Sequence, residues 1–301
     1  MKRLLLYANT LRHLRASQIF ALIRKRLLPA SSRCPSIGNV RLRGSVGIGP
    51  GLSRAHHSEK AYAFRFLNRE KSFPDGQIDW ASGDMPKLWR YNLHYFDYLS
   101  DNGRSPEEKG ALISDWIARN PQGARDAWEP YTLSLRIVNW IKFFLQNDTA
   151  IQEEWWSSLY TQALWLEKNV EYHILANHYL KNGVALFFAG TYFEGVDADR
   201  WIQTGLKILR EELGEQFLAD GGHYERSPMY HSICVSDYLD VLNLVQHSQA
   251  AIHLEKPAQF RQKITASLNF LNDICLPDSE IPLFNDSAFG IAPTPSQIFN
   301  Y

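Results

Sequence analysis

Between Asp220 and His231 the chain places His223, Tyr224, Glu225, Arg226, Tyr230 and His231 within twelve positions. That density of titratable and hydrogen-bonding side chains is suited to proton transfer. A free phenol titrates near ~10, so a tyrosine acts as a base only where nearby positive charge favours phenolate. Arg226, His223 and His231 are the groups that could supply such charge to Tyr230. Gly221-Gly222 marks a tight turn where backbone can approach a ligand closely. Ser227 followed by Pro228 reads as the N-cap and first position of a helix, which puts Tyr230 in its first turn.

A second segment, Glu171 to His178, supplies His173, Asn177 and His178, with Lys181 following. His173, Asn177 and Lys181 recur every four residues, so one helix face would carry all three toward a cleft. Two further segments mix aromatic and polar residues: Leu88 to Tyr95 with Asp97, and Trp128 to Trp140. Tyr91, His94, Trp128, Glu129, Tyr131 and Arg136 there, with His173, His223, Glu225 and Arg226, are the candidates for holding a sugar. Aromatic rings offer flat apolar faces with a polar edge, which suits a pyranose; the alternative is a large aromatic core. No metal site is expected, because His173 and His178 are five apart and no HExxH pattern occurs. A GxSxG elbow and a phosphate-cradling glycine loop are both missing, and no cofactor is expected.

The elements that must position these residues are helical. Apolar periodicity predicts helices over about 88–100, 106–119, 131–146, 150–170, 171–189, 197–213, 230–248 and 257–275, joined by short polar links. A further helix is expected over 4–28, ending at Pro29 and Ser31–Ser32. The alternating run Val40 to Ile48 reads as a short strand or loop, and no second run of strands is expected. Paired helices of similar length fit an array of antiparallel hairpins curling into an incomplete α/α toroid, with a plain bundle as the alternative. The expected division is a basic helix and Gly/Pro-rich connector over 1–84, then the helical domain over 85–301.

The 32 basic and 32 acidic residues balance, but unevenly along the chain. Residues 1–54 hold eleven Lys and Arg and no acid, and Glu59 is the first carboxylate. This arm reads first as a solvated amphipathic helix; a membrane surface, a nucleic acid or an acidic polymer are the partners it could touch. Arg12, His13 and Arg15 break its apolar runs, so no secretion signal is expected and cytoplasm is the default location. Nor is any run long enough to span a membrane. Cys34, Cys234 and Cys275 are too scattered for a disulfide framework.

Five blocks in order, LWRYNLHYFDYL (88–99), WEPYTLSLRIVNWIKF (128–143), EYHILANHYLKNG (171–183), DGGHYERSPMYH (220–231) and IPLFNDSAFGIAP (281–293), resemble the N-terminal domain of the heparinase II/III polysaccharide lyases. The likeness runs from about residue 85 to the C-terminus and more weakly into the arm. It implies an α/α toroid and β-elimination on a uronic-acid polysaccharide, heparin-, heparan- or alginate-like. Asn177 would hold and neutralise the substrate carboxylate beside His178, and Tyr230 would serve as general acid and also as base. Some relatives carry Glu where Lys181 stands. The family continues into a β-sandwich that closes the cleft and adds a histidine. This chain stops at Tyr301, so a separate β-sandwich domain or self-association is the partner expected besides an acidic polysaccharide; no nucleic acid is. Relatives acting on polymers are commonly periplasmic. Two other functions are alternatives: a non-catalytic acidic-glycan-binding module that retains the cleft, and a glycoside hydrolase, for which Glu129, Asp220, Glu225 and Asp286 are the candidate carboxylates although none is paired by spacing.

Overall fold

The computed structural model describes residues 12, 14–27, 40–52, 62–147, 151–248 and 257–301. The apolar run at 4–8, the helix stop at Pro29 to Ser32 and Cys34 lie outside them. Ten α-helices are present among the described residues: α1 Ala16–Leu27, α2 Lys87–Tyr95, α3 Pro106–Arg119, α4 Pro130–Gln146, α5 Glu153–Lys168, α6 Ala176–Tyr192, α7 Val196–Gln216, α8 Pro228–His247, α9 Pro257–Ile274 and α10 Pro295–Phe299.

Helix starts follow local chemistry. Ser105 and Glu108 form a reciprocal capping box before α3, and Thr294 with Gln297 does the same before α10. Pro130 and Pro228 open α4 and α8, where a missing N–H is no loss. From α2 onward, alternate helices touch: α2 packs on α4, α4 on α6, and α6 on α8. The intervening helices form a second layer, α3 against α5, with α7 on α6 and α9 on α8. Three residues link α6 to α7, which makes that pair antiparallel. An inner arc of parallel helices backed by an outer one is an incomplete α/α toroid, as the helical periodicity predicts.

The core lies between the two layers and is strongly aromatic. Trp89, Trp116, Trp140 and Trp201 are fully buried, and Trp80, Trp128 and Trp155 nearly so. The high tryptophan count thus serves packing far more than sugar stacking. Helices α6 and α7 meet closest through glycine: a Cβ on Gly205 would lie 2.7 Å from the Phe187 nitrogen and 2.8 Å from the Gly183 oxygen.

Two small sheets complete the fold. The strand expected near residue 40 is two residues long, β1 Arg41–Leu42, paired antiparallel with β4 Phe193–Glu194 at the end of α6. A hairpin of β2 Ala63–Phe66 and β3 Arg69–Ser72 was not expected. Its Leu67-Asn68 turn, both residues at positive φ, lacks the glycine that usually announces one. Phe64 and Phe66 pack beside Trp89 and Tyr98, so the hairpin joins the helical core.

Candidate active site

Tyr131 is the second residue of α4, Asn177 the second of α6 and Tyr230 the third of α8. Because the inner helices run parallel, these N-terminal turns share one rim of the arc. The His178 and Tyr131 rings lie 4.3 Å apart. Burial pushes the Tyr131 phenol up to about 12. Helix N-termini carry partial positive charge, so three at one rim favour an anion there.

Asn177 is partly exposed and its amide makes no hydrogen bond among the described residues, leaving it available to a ligand. His178 is held from behind: its Nδ1 lies 3.1 Å from Glu171 Oε1. Buried Glu171 is fixed in turn, its backbone N–H donating to Asn182 Oδ1 and its Oε2 accepting from Asn182 Nδ2 at 3.2 Å. Glu171 therefore positions His178. Its place in the Glu171–Asn182 sequence offers no signal of that role, because the contact depends on how the turn before α6 folds back. That turn is strained: Leu175 and Ala176 have φ of 65° and 52°, a conformation costing of order 1–3 kcal/mol per residue.

Tyr230 is half-buried, and its hydroxyl donates to Asp286 Oδ2 at 3.3 Å. Burial first, and then Asp286, push the phenol above its ordinary value. Ser227 caps α8 through a bond from the Tyr230 N–H. Its own hydroxyl meets the Ser287 hydroxyl at 2.9 Å, tying the 285–287 segment to this end of α8. Two of the three cations expected to activate Tyr230 are corrected by the structure. His223 and His231 are buried and held near about 4, mainly by desolvation, so both are neutral at pH 7. His223 Nε2 bonds Gln216 and His231 Nε2 bonds the Ser267 carbonyl. With Asp286 the charged group against it, Tyr230 is a protonated phenol, suited to giving a proton. Gly221 is likewise reassigned: its backbone approaches Ala266 of α9, 2.4 Å from a built Cβ, rather than open space for a ligand.

The other candidates divide by burial. Tyr91 and Glu129 remain at the rim, where the Tyr91 hydroxyl donates to Glu129 and Lys87 lies 3.4 Å from the same carboxylate. Tyr91, Tyr95 and Tyr131 follow one another at ring distances of 6.4 and 6.0 Å, leading to His178. Glu225 and Arg226 are exposed beside α8, and Arg226 has a φ of 54°. His94, Trp128 and Arg136, by contrast, face the core. His94 Nδ1 accepts from Trp116, and desolvation holds the ring near about 3. Arg136 is fully buried, donating to Gln162, the His94 carbonyl and the Ala127 carbonyl, with its guanidinium 3.9 Å from the Trp116 ring. Trp128 donates to the Asn120 carbonyl. His173 is not on the Asn177 helix face: it sits in the preceding turn, its Nε2 3.1 Å from Lys25 Nζ of α1.

One turn beyond Asn177, Lys181 enters a cavity of about 380 Å³ between α4, α6 and α8. Its ammonium pairs with buried Asp237 at 2.5 Å, and Lys142 pairs with Asp240 at 2.5 Å across the same space. The hollow of the toroid thus holds paired charges, Lys181 with Asp237 and Lys142 with Asp240. Among the described residues no three His, Cys, Asp or Glu are grouped to hold a metal.

Residues 50–294 match the family model of the heparinase II/III N-terminus. A heparin-sulfate lyase of Pedobacter heparinus is 31% identical over 227 residues, which cover 71% of this chain and 33% of that protein. One from Bacteroides thetaiotaomicron is 25% identical over 242 residues, covering 71% and 34%. A solved heparan sulfate lyase from Pedobacter heparinus superimposes with a TM-score of 0.53 at 25% identity, over 75% of this chain and 39% of that one. A heparinase III structure, at 23% identity and TM-score 0.54, shares the fold over 73% and 36%. The chain spans about a third of the length of the curated relatives it matches.

Proposed function

The chain belongs to the heparinase II/III N-terminal family, and we propose that it presents the toroid side of a lyase site that cleaves a uronic-acid polysaccharide by β-elimination. The observation that supports this reading is that Tyr131, Asn177 and Tyr230 stand in the first turns of α4, α6 and α8, with the His178 ring 4.3 Å from Tyr131. Residues 85–301 carry the proposed lyase site, and the 63–72 hairpin packs into the same core.

β-Elimination removes a weakly acidic proton beside the uronate carboxylate and expels the glycosidic oxygen across the ring. Charge accumulates on the carboxylate as the proton leaves, so donors aimed there lower the barrier. The Asn177 amide is free to donate, and His178, steadied by Glu171, stands next to it. Lys181 on the same helix is committed to Asp237 and adds little net positive charge. Tyr230 delivers its proton to the departing oxygen, the role its protonated state favours, and the ring proton passes to a second base, the part the family likeness gives to a histidine of the β-sandwich. Tyr91 and Tyr131, partly exposed with buried Tyr95 between them, give sugar rings places to stack beside that point. Leu283, Phe284 and Phe289, exposed around Asp286, are where a β-sandwich or a second copy would cover the rim.

Incubation with heparin, heparan sulfate and alginate, followed by ultraviolet absorbance of the unsaturated uronate, tests the reading. Chromophore with new chain ends supports elimination; new reducing ends without chromophore mean hydrolysis. Binding with neither product makes the chain a glycan-binding module.

A further inference from the structure

Helix α1 reverses the usual arrangement of a surface helix. Viewed down its axis at about 100° per residue, Ile19, Phe20, Ile23 and Leu27 form one stripe roughly 100° wide, with Gln18 and Lys25 on the opposite side. A helix on a globular domain normally turns such a stripe inward. Here the polar side faces the domain: Gln18 Nε2 donates to the His173 carbonyl at 3.3 Å, and Lys25 Nζ meets His173 Nε2 at 3.1 Å. Arg15 at the helix start pairs with Glu215 of α7. No residue of α1 is buried, and Phe20, Ile23 and Leu27 are 69%, 51% and 72% exposed. Arg24 and Arg26 flank the stripe, one on each side, in the last turn.

We propose that α1 is an interfacial helix that binds the chain to an anionic lipid surface. An apolar stripe bordered by arginines is the geometry that seats a helix at a headgroup boundary, with the guanidinium groups reaching phosphate as the apolar side chains enter the acyl region. Charge complementarity selects the occupant. Residues 1–54 carry eleven basic residues and no acidic one, so the segment is attracted to anionic lipid and repels a second copy of itself. A sulfated polymer would satisfy the arginines but leave the three apolar side chains in water. Since α1 grips the turn before α6, the lipid surface would lie on the side of the toroid next to the Asn177 rim.

The test is co-sedimentation of the full chain with vesicles of phosphatidylcholine alone and of phosphatidylcholine with one quarter phosphatidylglycerol, at physiological salt. The wild type should pellet with the anionic vesicles only. Each basic residue near such a surface contributes about fivefold in affinity, so Arg24→Gln with Arg26→Gln should weaken binding about twenty-five-fold. Phe20→Ser with Ile23→Ser should abolish it, while circular dichroism and melting stay unchanged because neither side chain packs in the fold. Failure to pellet with anionic vesicles overturns the proposal. So does undiminished binding by the serine variant, which would reduce the attraction to charge alone. Retention on immobilised heparin without vesicle binding would assign the arm to a polyanion instead, and a dimer lost in the serine variant would assign it to self-association.

Discussion

Lowering the pH from 7 to 5 should destabilise this fold by about 3–4 kcal/mol, through histidines that fold uncharged. His94, His223 and His231 are buried and sit near about 3, 4 and 4, each depressed mainly by desolvation. In the unfolded chain each titrates near ~6.5. Their stabilising contribution is therefore complete above pH ~6.5 and is lost as pH falls toward the folded values, about 2 kcal/mol apiece by pH 5. Glu212 acts the other way. It is buried in α7 and raised to about 7, so its protonation between pH 7 and 5 favours the folded state by about 2 kcal/mol. The balance should lower the melting temperature by roughly 10 °C, measured by calorimetry at constant ionic strength. In the variant His223→Gln with His231→Gln, His94 and Glu212 oppose one another and the melting temperature should hardly move over that range. A wild-type melting temperature that is flat from pH 7 to 5 would refute the reasoning. It would mean that His223 and His231 take up protons in the fold as readily as in the unfolded chain.

Tyr230→Phe should lower uronate-polymer elimination by about 10²–10⁴ with little change in substrate affinity. Its melting point should barely change, because the lost bond to Asp286 is exposed; wild-type turnover would remove Tyr230 from the chemistry. Replacing Asn177 or His178 by alanine should weaken binding of acidic oligosaccharides and spare neutral ones, measured by titration calorimetry, whereas equal loss for both would indicate structural damage. Glu171→Ala should destabilise the chain by about 1–3 kcal/mol and weaken acidic-oligosaccharide binding, since it strips His178 and Asn182 of a buried acceptor. Glu171→Gln, which keeps an acceptor, should restore most of both, and an alanine variant indistinguishable from wild type would show that Glu171 positions nothing.

The helices were legible because apolar periodicity and capping chemistry are local. Ser227-Pro228 announces the start of α8, and the predicted spans agree with the helices to within about five residues, the short α10 being unexpected. The layering of those helices was legible from their pairing and short links, which favour a toroid but leave a plain bundle as the alternative until the family likeness is added. What stayed hidden was the direction of each side chain relative to the core. Arg136 and His94 look like ligand-binding residues among aromatics, yet they point between the layers, where carbonyls, Gln162 and Trp116 satisfy them. The four-residue spacing of His173, Asn177 and Lys181 presupposed one continuous helix. Positive φ at Leu175 and Ala176 breaks the chain just before Asn177 and sends His173 to α1 instead. The 63–72 hairpin was missed for a similar reason, its turn being Leu67-Asn68 rather than a glycine pair.

That same break explains how a rim of donors arises from an otherwise ordinary helical array. Were α6 to continue backward through Ile174 and His173, its first free N–H groups would lie a turn away from Tyr131. Starting the helix at Ala176 exposes the N-terminal turn bearing Asn177 and His178 opposite the corresponding turn of α4. Arg226, at a φ of 54°, stands immediately before the Ser227 cap of α8 and leaves Tyr230 in that helix's first turn. Three non-glycine residues with left-handed backbone thus flank two of the three helix starts. Each costs stability that local propensity would avoid, and each is held by bonds from elsewhere: Asn182 and His178 onto Glu171, and Asn285 onto the Arg226 carbonyl at 2.8 Å. Strain that is maintained by such a network, at the starts of α6 and α8, is spent on position rather than on packing.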